Sequence, residues 1–183
     1  MKKTLFRSIC ILLSLVLLSA AIAPVARPVA SAAGQEEGPV AEIYLCVSGI
    51  YFPYYFFGHA WICISNISGE PFTVGAVTLA PGGMMSVGLH SDAGMTYNRE
   101  MSRFRGRTVS AVRQQINAEQ LQNAAREITS SNWDHYLLFT HNCTHFAAAV
   151  WKAATGVRFN TAVFPFILKS QLPADQTVSL YIG

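Results

Sequence analysis

The sequence predicts an α+β domain in which an antiparallel sheet carries helices on one face. Three observations lead there: strand-like segments outnumber helical ones, they follow one another across short turns, and two amphipathic helical segments cluster late in the chain. Composition agrees. Of 183 residues, 51% are apolar and 13% charged, which excludes a disordered chain and is enough for one domain with a sizeable core.

The first 32 residues read as a secretory signal peptide. A basic start (Lys2, Lys3, Arg7) precedes an apolar run from Ile9 to Ala23, and Ala30, Ser31 and Ala32 supply the small residues of a cleavage site. The run is shorter than the roughly 20 apolar residues of a spanning helix and is followed by Pro24, Arg27 and Pro28, so no lasting membrane span is expected. Residues 33–41 are small, polar and turn-prone, a flexible lead-in, and residues 42–183 form the single domain. The product is expected to be secreted, outside the cytoplasm or in the cell envelope.

Within the domain, Ile43 to Val47 is rich in β-branched and aromatic types and reads as a strand. The aromatic stretch Tyr51 to Phe57 fits either the core or the mouth of a cleft. Ala60 to Ser65 and Phe72 to Leu79, joined by the turn Asn66 to Pro71, read as a hairpin. Pro81-Gly82-Gly83 turns the chain into a strand over Met84 to Leu89, His90 to Gly106 has no clear period and reads as loop, and Thr108 to Val112 is a short strand. Asn117 and Gln120 form a capping-box pattern ahead of a helix whose Leu121, Ala124, Ala125 and Ile128 share one face. Tyr136 to Phe139 reads as a strand. Thr144 to Thr155 reads as a helix stopped by Gly156, and the tail ends in a strand over Val178 to Ile182.

The formal charge of +3 is misleading, because four basic residues and no acids lie in the leader. The remainder carries nine basic against ten acidic residues. A nucleic-acid partner is therefore excluded.

The chemistry centres on cysteine. Without Cys10 of the leader, Cys46, Cys63 and Cys143 remain, an odd number for an oxidising location. Cys143 lies in His141-Asn142-Cys143-Thr144-His145-Phe146, where a strand hands over to a helix. A helix N-terminus stabilises a thiolate, and its N–H groups can receive an oxyanion. On position alone Cys143 fits equally a nucleophile and a small buried apolar residue. With Cys143 set aside as a free thiol, Cys46 and Cys63 are expected to pair as a disulfide. His59, in Gly58-His59-Ala60-Trp61-Ile62, is the best candidate for a base: a strand fixes it and a glycine gives the ring room. A lone histidine is more often a hydrogen-bonded core residue, and pairing with Cys143 is what favours the functional reading.

Gly58-His59-Ala60-Trp61-Ile62, followed far downstream by Asn142-Cys143-Thr144-His145-Phe146, resembles the permuted papain-like superfamily, which includes NlpC-type cysteine peptidases and lecithin:retinol acyltransferase-like proteins. The resemblance implies a papain-like α+β fold with the nucleophile, Cys143, at a helix N-terminus and the catalytic His59 on an earlier strand. It also implies a third polar residue on the strand after the histidine. Thr73 is the choice, with Thr78 and Asn66 as alternatives.

Other polar groups have quieter readings. His141 and His145 flank Cys143 in a pattern that could hold zinc, but the helix start breaks their shared face and no further ligand pattern supports it, so neither metal nor cofactor is expected. Arg103, Arg105 and Arg107 alternate as a trio that could meet an anionic substrate, though such trios are usually solvated. Asp134 and His135 read as surface groups. The whole predicts a secreted thiol hydrolase or acyltransferase acting on an amide or acyl bond, with a peptide or acyl substrate such as cell-wall peptidoglycan. The rival reading is a catalytically silent papain-like domain that binds an envelope or host ligand.

Overall fold

The computed structural model describes residues 38–50, 56–160 and 164–183. The leader and most of the lead-in, with residues 51–55, lie outside the described residues. Among the described residues, eight strands and four α-helices follow in the order β1 (Ala41–Ser48), β2 (His59–Asn66), β3 (Phe72–Val74), β4 (Val77–Leu79), β5 (Met84–His90), β6 (Gly94–Tyr97), α1 (Arg99–Arg103), β7 (Arg107–Ile116), α2 (Ala118–Ile128), α3 (Cys143–Thr155), α4 (Pro165–Gln171) and β8 (Thr177–Ile182). Six strands form one sheet in the order β6-β5-β2-β1-β7-β8, every neighbouring pair antiparallel. The α+β class with an antiparallel sheet is what the sequence predicts. Among the described residues no helix is long and apolar enough to cross a membrane.

The two central strands are buried almost throughout, so β1 and β2 read as continuous apolar runs rather than alternating ones. Ile43, Leu45, Ile62 and Ile64 face the larger core, where Phe146, Ala147 and Val150 of α3, Leu121 and Ala124 of α2 and Leu168 of α4 cover them. Truncating a residue such as Ile62 to alanine would cost about 2–5 kcal/mol. Tyr44, Cys46, Trp61 and Cys63 belong to a smaller cluster with Phe104 and Ile182. The three longer helices thus share one face, and the short α1 with Phe104 caps the other.

Both helical predictions hold at their ends. Asn117 accepts from the Gln120 N–H (2.9 Å) while the Gln120 side chain accepts from the Asn117 N–H (3.0 Å), and Gly156 ends α3 at a φ of 76°.

Four local expectations are corrected. Phe72 to Leu79 does not pair with β2. It folds back on itself at Gly75 (φ 57°), where an added Cβ would run into the Tyr97 ring, and β3 and β4 form a separate two-stranded hairpin. Asn66 fixes this departure by donating to the Glu70 and Leu79 carbonyls at 2.9 and 3.0 Å, which leaves β2 to pair with β1 and β5. Tyr136 to Phe139 makes only a single bridge, Leu137 with His141, because the chain turns within five residues. The tail contains α4, started by Pro165 in its first turn.

The fourth correction matters most. The supposed loop His90 to Gly106 contains β6 and α1. Asn98 adopts a left-handed conformation (φ 59°), its amide donates to the Ser86 carbonyl at 2.9 Å, and its side-chain oxygen accepts from the Ser86 N–H at 3.1 Å. That double attachment pins the start of α1 over β5 and lays Glu100 on the sheet.

Candidate functional site

Ser86, Gly88 and His90 alternate along β5, so their side-chain positions share one face. Glu100, fully buried, lies over that face: Ser86 Oγ donates to its Oε2 at 2.8 Å, and His90 Nε2 lies 2.6 Å from its Oε1. His59, on neighbouring β2, brings its own Nε2 to the same Oε1 at 3.1 Å. Gly88 makes the convergence possible, because a Cβ there would collide with the Glu100 carboxylate and crowd His59 Nε2. An ionised carboxylate only accepts, so both imidazoles present an Nε2–H to it. Burial alone would push the Glu100 carboxyl up, but hydrogen bonds and charge from the two histidines hold it far below the usual carboxylate range.

With Nε2 committed to Glu100, His59 has Nδ1 left for a second partner, and that partner is Cys143. The two line one cleft and each shifts the other's pKa toward the charged form. Gly58, at a φ of 82°, swings the chain into β2 where a Cβ would strike the Ser48 carbonyl, and Ser48 Oγ accepts from the His59 N–H at 3.1 Å. Trp61 stacks along the His59 ring, centroids 5.5 Å apart and planes 17° apart, with Phe104 stacked beyond it at 4.8 Å. The imidazole is therefore held by its strand, its carboxylate and its stacking partner. Cys143 arrives from the helical side of the sheet on the first turn of α3, and its sulfur also meets the Ala60 N–H.

The electrostatics of each group favour the charged form of the other. Burial opposes it most strongly on both groups. Even so, the Cys143 thiol lies below its ordinary value because of the charge and hydrogen bond of His59, and His59 is raised to about 9 by Cys143 first and Glu100 second. His90 is lowered, chiefly by burial, with the His59 charge acting the same way.

The donors near the sulfur differ from expectation. Asn142 caps α3 by accepting from the N–H groups of Thr144 (2.9 Å) and His145 (3.2 Å), so those two are occupied and the Cys143 amide is the donor the helix start has left. The Tyr136 hydroxyl is another: Tyr136 lines the same cleft, and burial followed by the charge of Cys143 raises its pKa strongly.

Thus the structure brings Cys143 and His59 together and places Thr73 elsewhere. Thr73 sits on the β3–β4 hairpin with its exposed hydroxyl 2.9 Å from that of Thr78, and Asn66 is spent on the turn, so none of the three orients His59. Glu100 does, with His90 beside it, and sequence reasoning missed both. The available signals were Asn98, a residue suited to a left-handed turn, and an acidic residue two positions later. The Cys46 and Cys63 thiols are free rather than bridged. His145 Nδ1 donates to Asn142 Oδ1 at 2.8 Å and His141 stacks on His135, so neither joins Cys143 in a metal-binding group. Among the described residues the metal-compatible trio is His59, His90 and Glu100, with ligating atoms within 4.8 Å of one another. Of the three arginines, Arg103 reaches the cleft that holds the site, while Arg107 begins β7.

That cleft, of about 490 Å³, opens onto Cys143, His59 and His90. Comparison of the chain with family models, with curated proteins and with solved structures finds no match.

Proposed function

We propose that the protein is a secreted cysteine hydrolase or acyltransferase of the permuted papain-like kind, cleaving an amide or acyl bond. The observation that carries the reading is the buried set Cys143, His59 and Glu100, in which Glu100 pins the base on Nε2 and the charge of His59 lowers the pKa of the thiol. A nucleophile on a helix start, and a strand histidine that precedes it in sequence, support the resemblance seen in the two motifs.

The Cys143 thiolate attacks the carbonyl carbon, and the carbonyl π pair moves onto oxygen. The Cys143 N–H and the Tyr136 hydroxyl lie where they can receive that oxyanion. His59 then gives its Nδ1 proton to the leaving amine or alkoxide, the carbon–heteroatom bond breaks, and a thioester on Cys143 remains. Neutral His59 next takes a proton from water, or from an acceptor alcohol or amine, whose oxygen or nitrogen attacks the thioester and expels the thiolate. Glu100 keeps its charge throughout and, as a positioning residue, holds the ring and its imidazolium.

Treating the chain from residue 33 with an activated acyl ester tests the reading. One acyl group should appear on the Cys143 peptide by mass spectrometry, released with time, and His59→Ala should lose the adduct. A native chain in which Cys143 takes no acyl group and alkylates no faster than an ordinary thiol overturns the enzyme reading in favour of the silent binding domain.

A further inference from the structure

Three buried side chains converge on one point behind the nucleophile. His59 and His90 are 2% and 4% exposed and Glu100 is 0% exposed, and a ligating atom of each lies within 4.8 Å of the other two. Glu100 Oε1 stands 3.1 Å from His59 Nε2 and 2.6 Å from His90 Nε2. Holding the His59 ring needs one acceptor, and Glu100 supplies it. The cysteine reaction gives steps to His59 and a positioning role to Glu100, but it gives none to His90, whose nitrogen is aimed at the same oxygen.

Two imidazole nitrogens and a carboxylate oxygen are a donor set for a borderline divalent ion such as Zn²⁺, which takes nitrogen at about 2.0–2.1 Å and carboxylate oxygen at about 2.0–2.2 Å in tetrahedral geometry. Bonds of that length set neighbouring ligand atoms about 3.3 Å apart. The His59 edge already has nearly that length, and the His90 edge has to open by only about 0.7 Å. The surroundings favour the same geometry. Ser86 Oγ donates to Glu100 Oε2 at 2.8 Å, which turns Oε1 toward the two rings as an outer-shell partner does. Gly88 keeps the ground between the donors clear, because a Cβ there would run into the Glu100 carboxylate and crowd His59 Nε2. His59 and His90 both line the cleft, which gives an ion its way in.

We infer that His59, His90 and Glu100 form an inhibitory Zn²⁺ site, the ion taking the place of the Nε2 protons that bridge each ring to Glu100. The binding stands apart from the hydrolase reading, and the inhibition rests on it. On binding, His59 sheds its Nε2 proton to solvent and keeps the one on Nδ1, His90 enters as the neutral Nδ1–H imidazole, and a water completes the four ligands. Glu100 then holds the ion instead of the imidazolium. Delivery of the Nδ1 proton to a leaving group would leave an imidazolate on the ion rather than a neutral imidazole, so His59 is a far weaker acid in that step, and with Nδ1 already protonated it has no site from which to act as base. Acyl transfer stops while the ion is bound.

Co²⁺ is the probe for the site, because its visible absorption reports the ligands. In the full mature chain, Cys143→Ser removes the nucleophile, so binding is read without catalysis and without the thiol. Titration should show one equivalent of Co²⁺ bound with the bands of a four-coordinate nitrogen and oxygen site, no sulfur-to-cobalt charge-transfer band, and displacement by Zn²⁺. His90→Gln should weaken binding by about 10²-fold or more, and Gly88→Ala, which keeps all three ligands but fills the space between them, should weaken it as well. No Co²⁺ bound by Cys143→Ser, or a titration that neither His90→Gln nor Gly88→Ala changes, overturns the site. With Cys143 present, turnover of an activated acyl ester should fall over the same range of Zn²⁺ and return on chelation. Unchanged turnover at Zn²⁺ that saturates the site overturns the inhibition. A chain that turns over no ester at all counts against the hydrolase reading, and the Co²⁺ titration still decides the site.

Discussion

Cys143 and Cys46 are both buried, 6% and 0% exposed, yet their thiols move in opposite directions. Burial pushes Cys46 up, and the neighbouring Cys63 side chain and the negative charge of Glu100 reinforce the rise. At Cys143 burial pushes up as well, but the imidazolium of His59 and the Ala60 N–H outweigh it. The lesson is that depth does not decide the reactivity of a thiol; the sign of the nearest charge does. Glu100 sets that sign at a distance. It holds the proton on His59, and its own negative field discourages ionisation of Cys46 on the neighbouring strand.

The sharpest way to break the comparison is to remove the charge. His59→Ala should leave Cys143 as a buried thiol like Cys46, so its alkylation rate at pH 6 should fall by about 10²-fold, as the charge that lowers its pKa is lost and the burial that raises it remains. The rate profile of the unsubstituted chain should be flat well below pH 8.5, and turnover should fall as pH rises through about 9, where His59 loses its proton. A His59→Ala profile superimposable on the original would mean that the helix start alone ionises the sulfur.

Glu100→Gln keeps the shape and removes the anion. The basic limb of the turnover profile should then shift down from about 9, and kcat should drop by about 10²-fold with little change in KM, the pattern of a residue acting through His59. The same substitution has an acid signature. Because the folded carboxyl is depressed, its stabilisation is complete above the unfolded value of about 4.3 and drains away as pH falls toward the folded value. Equilibrium unfolding followed from pH 5 to pH 2 should therefore be steeper for the original chain than for Glu100→Gln.

Much of this site was legible in the sequence, and the part that was not has a physical reason. Cys143 and His59 announce themselves because each occupies a position that local rules describe, a helix start and a strand start. Glu100 does not, since a five-residue helix has too few turns for a period to show. It takes its place from Asn98 attaching to Ser86, a contact between segments that no window of sequence contains. Thr73 was favoured by counting along an assumed hairpin, and once Gly75 folds that segment on itself the count leads away from His59. Gly88 is a similar case, an unremarkable strand glycine until the carboxylate above it is seen. Gly88→Ala should cost about 1–3 kcal/mol in denaturant unfolding through overpacking, and lower kcat about tenfold by displacing Glu100. A fully active variant would show that the carboxylate tolerates the shift.

The smallest expected effect belongs to the other thiol pair. Cys46 and Cys63 lie on neighbouring strands, Trp61 Nε1 donates to Cys63 Sγ at 3.3 Å, and both sulfurs are enclosed by the cluster containing Phe104 and Ile182. Neither lines the cleft, so Cys46→Ala should cost roughly 1 kcal/mol of stability and leave the alkylation profile of Cys143 unchanged. The comparison is completed by titrating thiols in the chain from residue 33. A mild aromatic disulfide reagent should react with one thiol in the native protein, Cys143, and with three once the fold is opened by denaturant. One thiol under both conditions would mean that Cys46 and Cys63 are oxidised to a disulfide in the isolated protein. That would restore the pairing expected from the cysteine count and replace two packed thiols on this face of the sheet by a covalent tie between β1 and β2.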